Sequence, residues 1–239
     1  MLSQLHGIVF DTPYCGPRQE ALVPRSEEGL TGSQSANRGG RPSPAEALRR
    51  HKQLVEVAGR MFMKFGFDGT SMDAVAEAAG VSKRTVYTRY RDKNELFSAV
   101  LRTLIDRWLV PINRFQSVRS ELEPTLIEIG RHMLSSALAP QAVSLHRIII
   151  AEAERRPQFG QLANAEGREP AVRAIAAVLR RHADKLRIKD FEHAAEQFMS
   201  LVIDSNLRMA AMGLRPKTQD IENMVHGAVD LFLNGIRTD

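Results

Sequence analysis

From Pro44 onward, apolar positions return at helical spacing. Leu48, Val55, Ala58, Phe62 and Phe65 fall three, four or seven residues apart, one stripe of an amphipathic helix. Pro44 suits its first turn, where a missing N–H costs nothing, and Gly66 suits its end. A short helix is expected from Ser71 to Ala79, with Thr70 or Ser71 as its N-cap, and Gly80 breaks it. Ser82 caps another short helix ending near Tyr90. Asp92, with Glu95 three residues on, forms a capping-box pattern for a fourth helix. That helix carries Leu96, Val100, Leu101 and Leu104 on one side, and Pro111 is expected to kink or end it.

Beyond Pro111 the same pattern predicts helices over Pro124–Ala139, Pro140–Arg156, Pro170 (or an earlier start) to about Leu186, Asp190–Met212 and Thr218–Ile236. Pro or Gly punctuates nearly every boundary, and no period-two run argues for a strand. The expected fold class is all-α. Residues 1–43 differ: Pro13, Gly16, Pro17, Pro24, Gly29, Gly32, Gly39, Gly40 and Pro42 interrupt any apolar period. Such a stretch buries too little surface to offset the entropy of ordering, so a disordered N-terminal arm is expected. Within it, Arg38-Gly-Gly-Arg41-Pro42 has a composition that fits a narrow minor groove, beside the plainer reading as a soluble tail.

Composition narrows the class. The 239 residues are 43% hydrophobic and 26% charged, ordinary values for a globular chain with a sizeable core. Aromatics at 6% are too few for a typical sandwich or barrel. The single cysteine, Cys15, rules out an intramolecular disulfide framework and a cysteine-cluster zinc site. No apolar run approaches a membrane span and the first residues do not form a secretory signal, so a cytoplasmic protein is expected. The net charge of +5 is localised: residues 44–110 carry +4 of it.

Residues 70–93, TSMDAVAEAAGVSKRTVYTRYRDK, concentrate that charge. Ala76 stands four residues before Gly80 and Val86 six after it, a spacing that lets two short helices cross closely around a tight turn. It is the helix-turn-helix spacing, whose second helix enters the DNA major groove. With Val86 and Tyr90 inward, Arg84 and Thr88 face outward, flanked by Lys83, Thr85 and Tyr87. Lys83, Arg84, Arg89, Arg91 and Lys93 against Asp92 make a phosphate-binding footprint. Arg84 has the geometry to read guanine bidentately, and Thr85 or Thr88 to touch a thymine methyl. Thr70, Tyr87 and Lys93 suit phosphates, which fix register. The expected DNA-facing set is Thr70, Ser71, Ser82, Lys83, Arg84, Thr85, Tyr87, Thr88, Arg89 and Lys93.

Residues 47–105, with FGFDGTSM followed by VAEAAGVSKRTVYTRYRDKNELF, resemble the DNA-binding domain of TetR/AcrR-type transcriptional regulators. The segments RIIIAEAERRPQFGQLA and AAEQFMSLV are similar to the AefR-like subgroup. The resemblance implies DNA contacts by Thr70, Lys83, Arg84, Thr85, Tyr87 and Lys93. It also implies a division into a three-helix helix-turn-helix domain over 44–92 and a helical ligand-binding and dimerisation domain over 93–239.

In such proteins the second domain encloses a small-molecule pocket. Candidate lining residues here are Trp108, Phe115, His132, Met133, His146, Phe198, Asp204 and Met209, although an aromatic or Met on a helical stripe is most often core. Asp204, in the otherwise apolar run Phe198–Asn206, is the most suggestive polar residue. Leu201, Leu207, Val225, Val229 and Phe232 give the last two helices more apolar positions than one stripe needs, which points to a homodimer through a four-helix interface. The expected partners are therefore double-stranded DNA, a second copy and a small-molecule effector, with no membrane, metal or cofactor. A phosphate-cradling Gly loop, HExxH and GxSxG are all missing from the chain, and Glu152 and Glu154 point to different faces of a solvated helix. The expected protein is a ligand-released repressor on a palindromic operator. A ligand-independent regulator is the alternative, and an all-helical enzyme the remote one.

Overall fold

The computed structural model describes residues 43–114, 121–214 and 220–237. The arm, its Arg38–Pro42 motif, Phe115 and the expected start of the last helix at Thr218 lie outside the described residues. Every named element is helical, and the described residues contain no strand beyond an isolated antiparallel bridge of Leu186 with Arg237.

One long and two short helices follow one another at the start. Helix α1 (Pro44–Phe65) begins on Ser43, whose hydroxyl accepts from Glu46 N at 3.2 Å. Helix α2 (Met72–Ala78) is capped by Ser71 and α3 (Lys83–Arg89) by Ser82, each hydroxyl accepting an amide at 3.1 Å. Between α2 and α3, Gly80 takes φ 66°, a left-handed conformation that a side chain would strain. Val81 N then donates back to Ala76 O at 3.0 Å, closing the turn. Val75, Ala76 and Val86 are fully buried where the two helices cross, beneath Leu54, Ala58 and Phe62 of α1.

Helix α4 (Lys93–Arg114) opens on the expected box: Glu95 N donates to Asp92 Oδ1 at 2.9 Å, and Glu95 Oε2 accepts from Arg91 N at 2.7 Å. Its Leu96, Phe97 and Val100 close the core under α1, and its Leu101, Ile105 and Leu109 pack into the remaining helices. Those are α5 (Leu122–Ala137), α6 (Pro140–Glu152), α7 (Pro157–Ala163), α8 (Glu169–Arg180), α9 (Phe191–Met199), α10 (Ser205–Ala211) and α11 (Asp220–Ile236). Helix α11 lies along α5, where Gly130 allows close approach: a Cβ there would meet Val225 Cγ1 at 3.0 Å. Helix α8 lies along α9.

Several expectations are corrected. Leu48 and Phe65, the ends of the predicted α1 stripe, are 68% and 52% exposed; the buried face runs from Leu54 to Phe62. Pro111 does not end α4, which continues to Arg114, since one missing N–H removes one bond and leaves later residues free to stay helical. The helix expected over 140–156 stops at Glu152 because Pro157 excludes the α region for Arg156, found at φ −139°, ψ 63°. Pro157 then starts α7, which runs through a π-helical turn (Asn164–Arg168) into α8, so the helix over Pro170 has the earlier start that its pattern left open. A second π-helical turn (Ser200–Asp204) joins α9 to α10. Val225, Val229 and Phe232 are buried within the subunit, so they serve its own core and cannot face a partner. Glu152 is not solvated: it is 6% exposed and bonded to Arg156.

Removing Arg156 would leave that carboxylate buried and unpaired. Arg156→Ala is expected to cost about 3 kcal/mol in urea unfolding. The double change Glu152→Met with Arg156→Met is expected to recover most of the loss.

Candidate DNA-binding surface and ligand cavity

The outward face of α3 is set by its two inward anchors. Val86 is fully buried and Tyr90 is 5% exposed, while Ser82, Lys83, Arg84, Thr85, Tyr87, Thr88 and Arg89 are all exposed. Local hydrogen bonds hold some of these side chains. Thr88 Oγ1 donates to Arg84 O at 2.7 Å, and the Ser82 and Thr85 hydroxyls pair at 2.8 Å. Lys83 Nζ reaches Asp73 on α2 at 2.5 Å, a hydrogen bond that holds the Asp73 carboxyl below and the Lys83 ammonium above their ordinary pKa values. Arg84 and Arg89 project from the surface, and Tyr87, also exposed, hydrogen-bonds to Asp73.

The turn between α1 and α2 presents a different arrangement. Thr70 is 2% exposed and its hydroxyl donates to Gly66 O at 2.8 Å, so its side chain shapes the turn rather than facing out. Ser71 is exposed and occupied in capping α2. Lys93 Nζ donates to Phe67 O at 2.8 Å and stands 4.5 Å from the Phe67 ring centroid.

Phe67 is the centre of an aromatic cluster that sequence reasoning missed. Its ring meets Phe97 at 5.5 Å and Phe159 at 5.3 Å, and Phe97 meets Phe159 at 4.4 Å. Arg156 lies 4.3 Å from the Phe67 centroid, pairs with Asp68 at 3.7 Å and holds Glu152. The α1–α2 turn is thus joined directly to the end of α6 and the start of α7. Pro157, which forces that chain turn, is the signal that could have drawn attention to Arg156.

His51 on α1 was also missed. Its Nε2 lies 2.5 Å from Tyr90 Oη, joining α1 to the end of α3. Burial, then the Arg89 charge, lowers the His51 pKa, and burial raises that of Tyr90. Both shifts favour the neutral rings, which share one hydrogen bond between Nε2 and the phenol oxygen.

Farther along α4 a cavity of about 470 Å³ opens between α4, α6, the two π-helical turns and α10. Its walls are largely apolar, from Leu101, Leu104, Ile105, Trp108, Leu145, Ile149, Met199, Ile203 and Leu207. Arg107, Gln141, His146, Arg168 and Asp204 supply the larger polar groups. Burial lowers the His146 pKa, and the Asp204 charge pulls it partly back.

Two family profiles account for most of this chain. The profile of bacterial regulatory proteins of the tetR family matches residues 54–100, and that of the AefR-like transcriptional repressor C-terminal domain matches residues 124–235. The chain belongs to the TetR family.

Relatives agree. The HTH-type transcriptional regulator RutR of Escherichia coli K12 is 38% identical over 77 residues, which cover 32% of this chain and 36% of RutR. A crystal structure of a TetR-family regulator from Mesorhizobium loti superposes with a TM-score of 0.74 at 25% identity, covering 80% of this chain and 98% of that one. The flavonoid-responsive regulator FrrA gives a TM-score of 0.63 at 28% identity, covering 79% and 97%. These relatives are transcriptional regulators, and DNA binding and transcription regulation are the activities of the family, not enzymatic turnover. Among the described residues no helix is long and apolar enough to cross a membrane.

Of the pocket residues expected in this TetR-family chain, Trp108, His146 and Asp204 line the cavity together. The other described ones do not. His132 Nε2 lies 3.0 Å from Trp108 O, behind the wall. Met133 is fully buried in the core, and Phe198 is buried against Phe232 at 5.2 Å. Met209 is 37% exposed on α10. Arg107, Gln141 and Arg168 were not anticipated, since polar residues on a helix ordinarily mark its solvated face.

The His51–Tyr90 contact gives a signed pH dependence. With its pKa lowered on folding, His51 binds a proton more readily in the unfolded chain. Its stabilising contribution is complete above pH 6.5, the ordinary histidine value, and is lost as pH falls through the folded one. Between pH 7 and about pH 5.5 the melting temperature is expected to drop more in the wild type than in His51→Gln, which keeps a hydrogen-bonding side chain but does not titrate.

Proposed function

We propose that this chain is a ligand-released repressor that binds a palindromic operator as a homodimer in the cytoplasm. Residues 44–92 would serve as its DNA-binding domain and 93–239 as its regulatory and dimerising domain. The observation that carries the reading is the exposed face of α3, a row of basic and hydroxyl side chains anchored underneath by Val86 and Tyr90. In the major groove, Arg84 reads bases, with Thr85 and Thr88 beside it. Ser82, Lys83, Tyr87 and Arg89 meet phosphates, together with Ser71 and the α4 end near Lys93. Contact with DNA exchanges Asp73 for a phosphate at Lys83; both groups are exposed, so the exchange costs little.

Two further features support the rest of the reading. Leu201, Met209 and Leu231 are exposed apolar side chains on the last helices, at 40%, 37% and 64%, and a second copy covers them in an isologous interface. The cavity supports an effector, and FrrA, a structural relative, is flavonoid-responsive by name. An effector releases DNA only by favouring the arrangement that fits the operator less well, and DNA then weakens the effector by the same factor.

Selection from random-sequence duplexes is expected to return an inverted repeat whose half-sites are one or more helical turns apart. Tyr87→Ala is expected to weaken binding to all duplexes and flatten its salt dependence, whereas Arg84→Ala relaxes the preference at one base position of each half-site. Normal operator binding by the double variant would place recognition on another helix. Leu201→Glu with Leu231→Glu is expected to give monomers in sedimentation; an unchanged dimer would move the interface away from this face.

A further inference from the structure

The cavity holds a charge that no acid among the described residues balances. Arg168, the last residue of the first π-helical turn, is half-buried and lines the cavity. Among the described residues no hydrogen-bond, ion-pair or ring contact is made by its guanidinium, and the acids nearest to it in sequence are engaged elsewhere. Glu166 accepts from Arg102 at 3.0 Å, and Glu169 accepts from Asn164 at 2.9 Å while pairing with Arg173 at 3.7 Å. The other arginine of the cavity, Arg107, is held by Glu56 of α1 at 3.2 Å. Asp204, the only acid lining the cavity among the described residues, is exposed, interacts with His146, and makes no ion pair with Arg168.

A half-buried guanidinium without a counter-charge keeps only part of its hydration, and an entering anion that pairs with it offsets that loss. Arg168 also presents a planar fork that suits a carboxylate or sulfonate bidentately. The remaining walls demand an apolar partner, and about 470 Å³ is room for a ligand of two or three rings. We propose that the cavity takes an organic anion, its apolar body against Trp108 and Ile203 and its acid group on Arg168. This assignment rests on the reading of the cavity as the effector site and adds the effector's chemical class. Because Asp204 is solvated at the rim, its charge opposes the anion only weakly.

The test uses two dyes on the full chain. 1-Anilinonaphthalene-8-sulfonate and N-phenyl-1-naphthylamine share one ring system, and only the first carries an acid group. Fluorescence titration is expected to show Arg168→Met weakening the sulfonate dye about tenfold or more, with the neutral dye unchanged within about twofold. Asp204→Asn is expected not to weaken the sulfonate dye. Ala142→Phe, which fills the cavity from α6, is expected to weaken both dyes. The assignment is overturned if Arg168→Met leaves the sulfonate dye unaffected, weakens both dyes alike, or is matched by Asp204→Asn. If Ala142→Phe blocks both dyes while Arg168→Met changes neither, the cavity remains a ligand site and only the anion is wrong. If Ala142→Phe affects neither dye, the effector reading of the cavity fails together with the anion.

Discussion

Arg156 meets three partners of different character where the α1–α2 turn touches the end of α6 and the start of α7. Its guanidinium lies against the Phe67 ring, pairs with Asp68, and neutralises the buried Glu152. None of these contacts is separable from the others. Glu152 needs the cation because it is out of water, and the cation is drawn in because the Phe67 face and Asp68 favour it there. Phe159, one turn further on, completes the seal by packing on Phe67 and Phe97. The orientation of α2 and α3, and hence the aim of the exposed face of α3, follows from where this turn is held.

The same region shows why a DNA-facing surface has to be read with its internal partners. Lys93 and Thr70 match the family's motif, yet in the free subunit both are engaged in the turn that ends on Asp68 and Thr70. Lys83 is engaged with Asp73, but at a fully solvated site where partners exchange readily. Arg84 and Arg89 have no such tie among the described residues. Positive charge on α3 is therefore graded. Some of it sets the geometry of the helix pair, and the rest is available to an incoming phosphate backbone, whose counterions it displaces.

Much of the first half of the fold was legible in the sequence because its signals are local. Ser71, Ser82 and the Asp92–Glu95 box specify where helices begin, and Gly80 specifies the turn, each through a bond within three residues or one backbone angle. The exposed face of α3 followed from the period of Val86 and Tyr90 alone. What escaped is non-local. Glu152 read as solvated because nothing within its own helix says that Asp68 and Phe67 lie opposite. The stripe of Val225, Val229 and Phe232 was assigned to a partner when α5 and α9 already cover it. The two π-helical turns have no propensity signature, and they are what carries Arg168 and Asp204 to the cavity wall.

Helix α4 is where the two halves of the molecule are one object. Its first turn supports the chain leaving α3, its Phe97 and Val100 fill the core under α1, and its Leu104 and Trp108 form cavity wall two turns later. Close-packed interiors deform little, so a ligand that displaces Trp108 must shift the helix or be refused. Arg107 sharpens the constraint, since the same side chain lines the cavity and pairs with Glu56 on α1. An occupant that engages Arg107 competes with Glu56 and loosens α1 from α4. One that engages Arg168 alone leaves the pair intact and acts through shape. Under the proposed mechanism these two routes differ in salt dependence, because only the first trades one exposed ion pair for another.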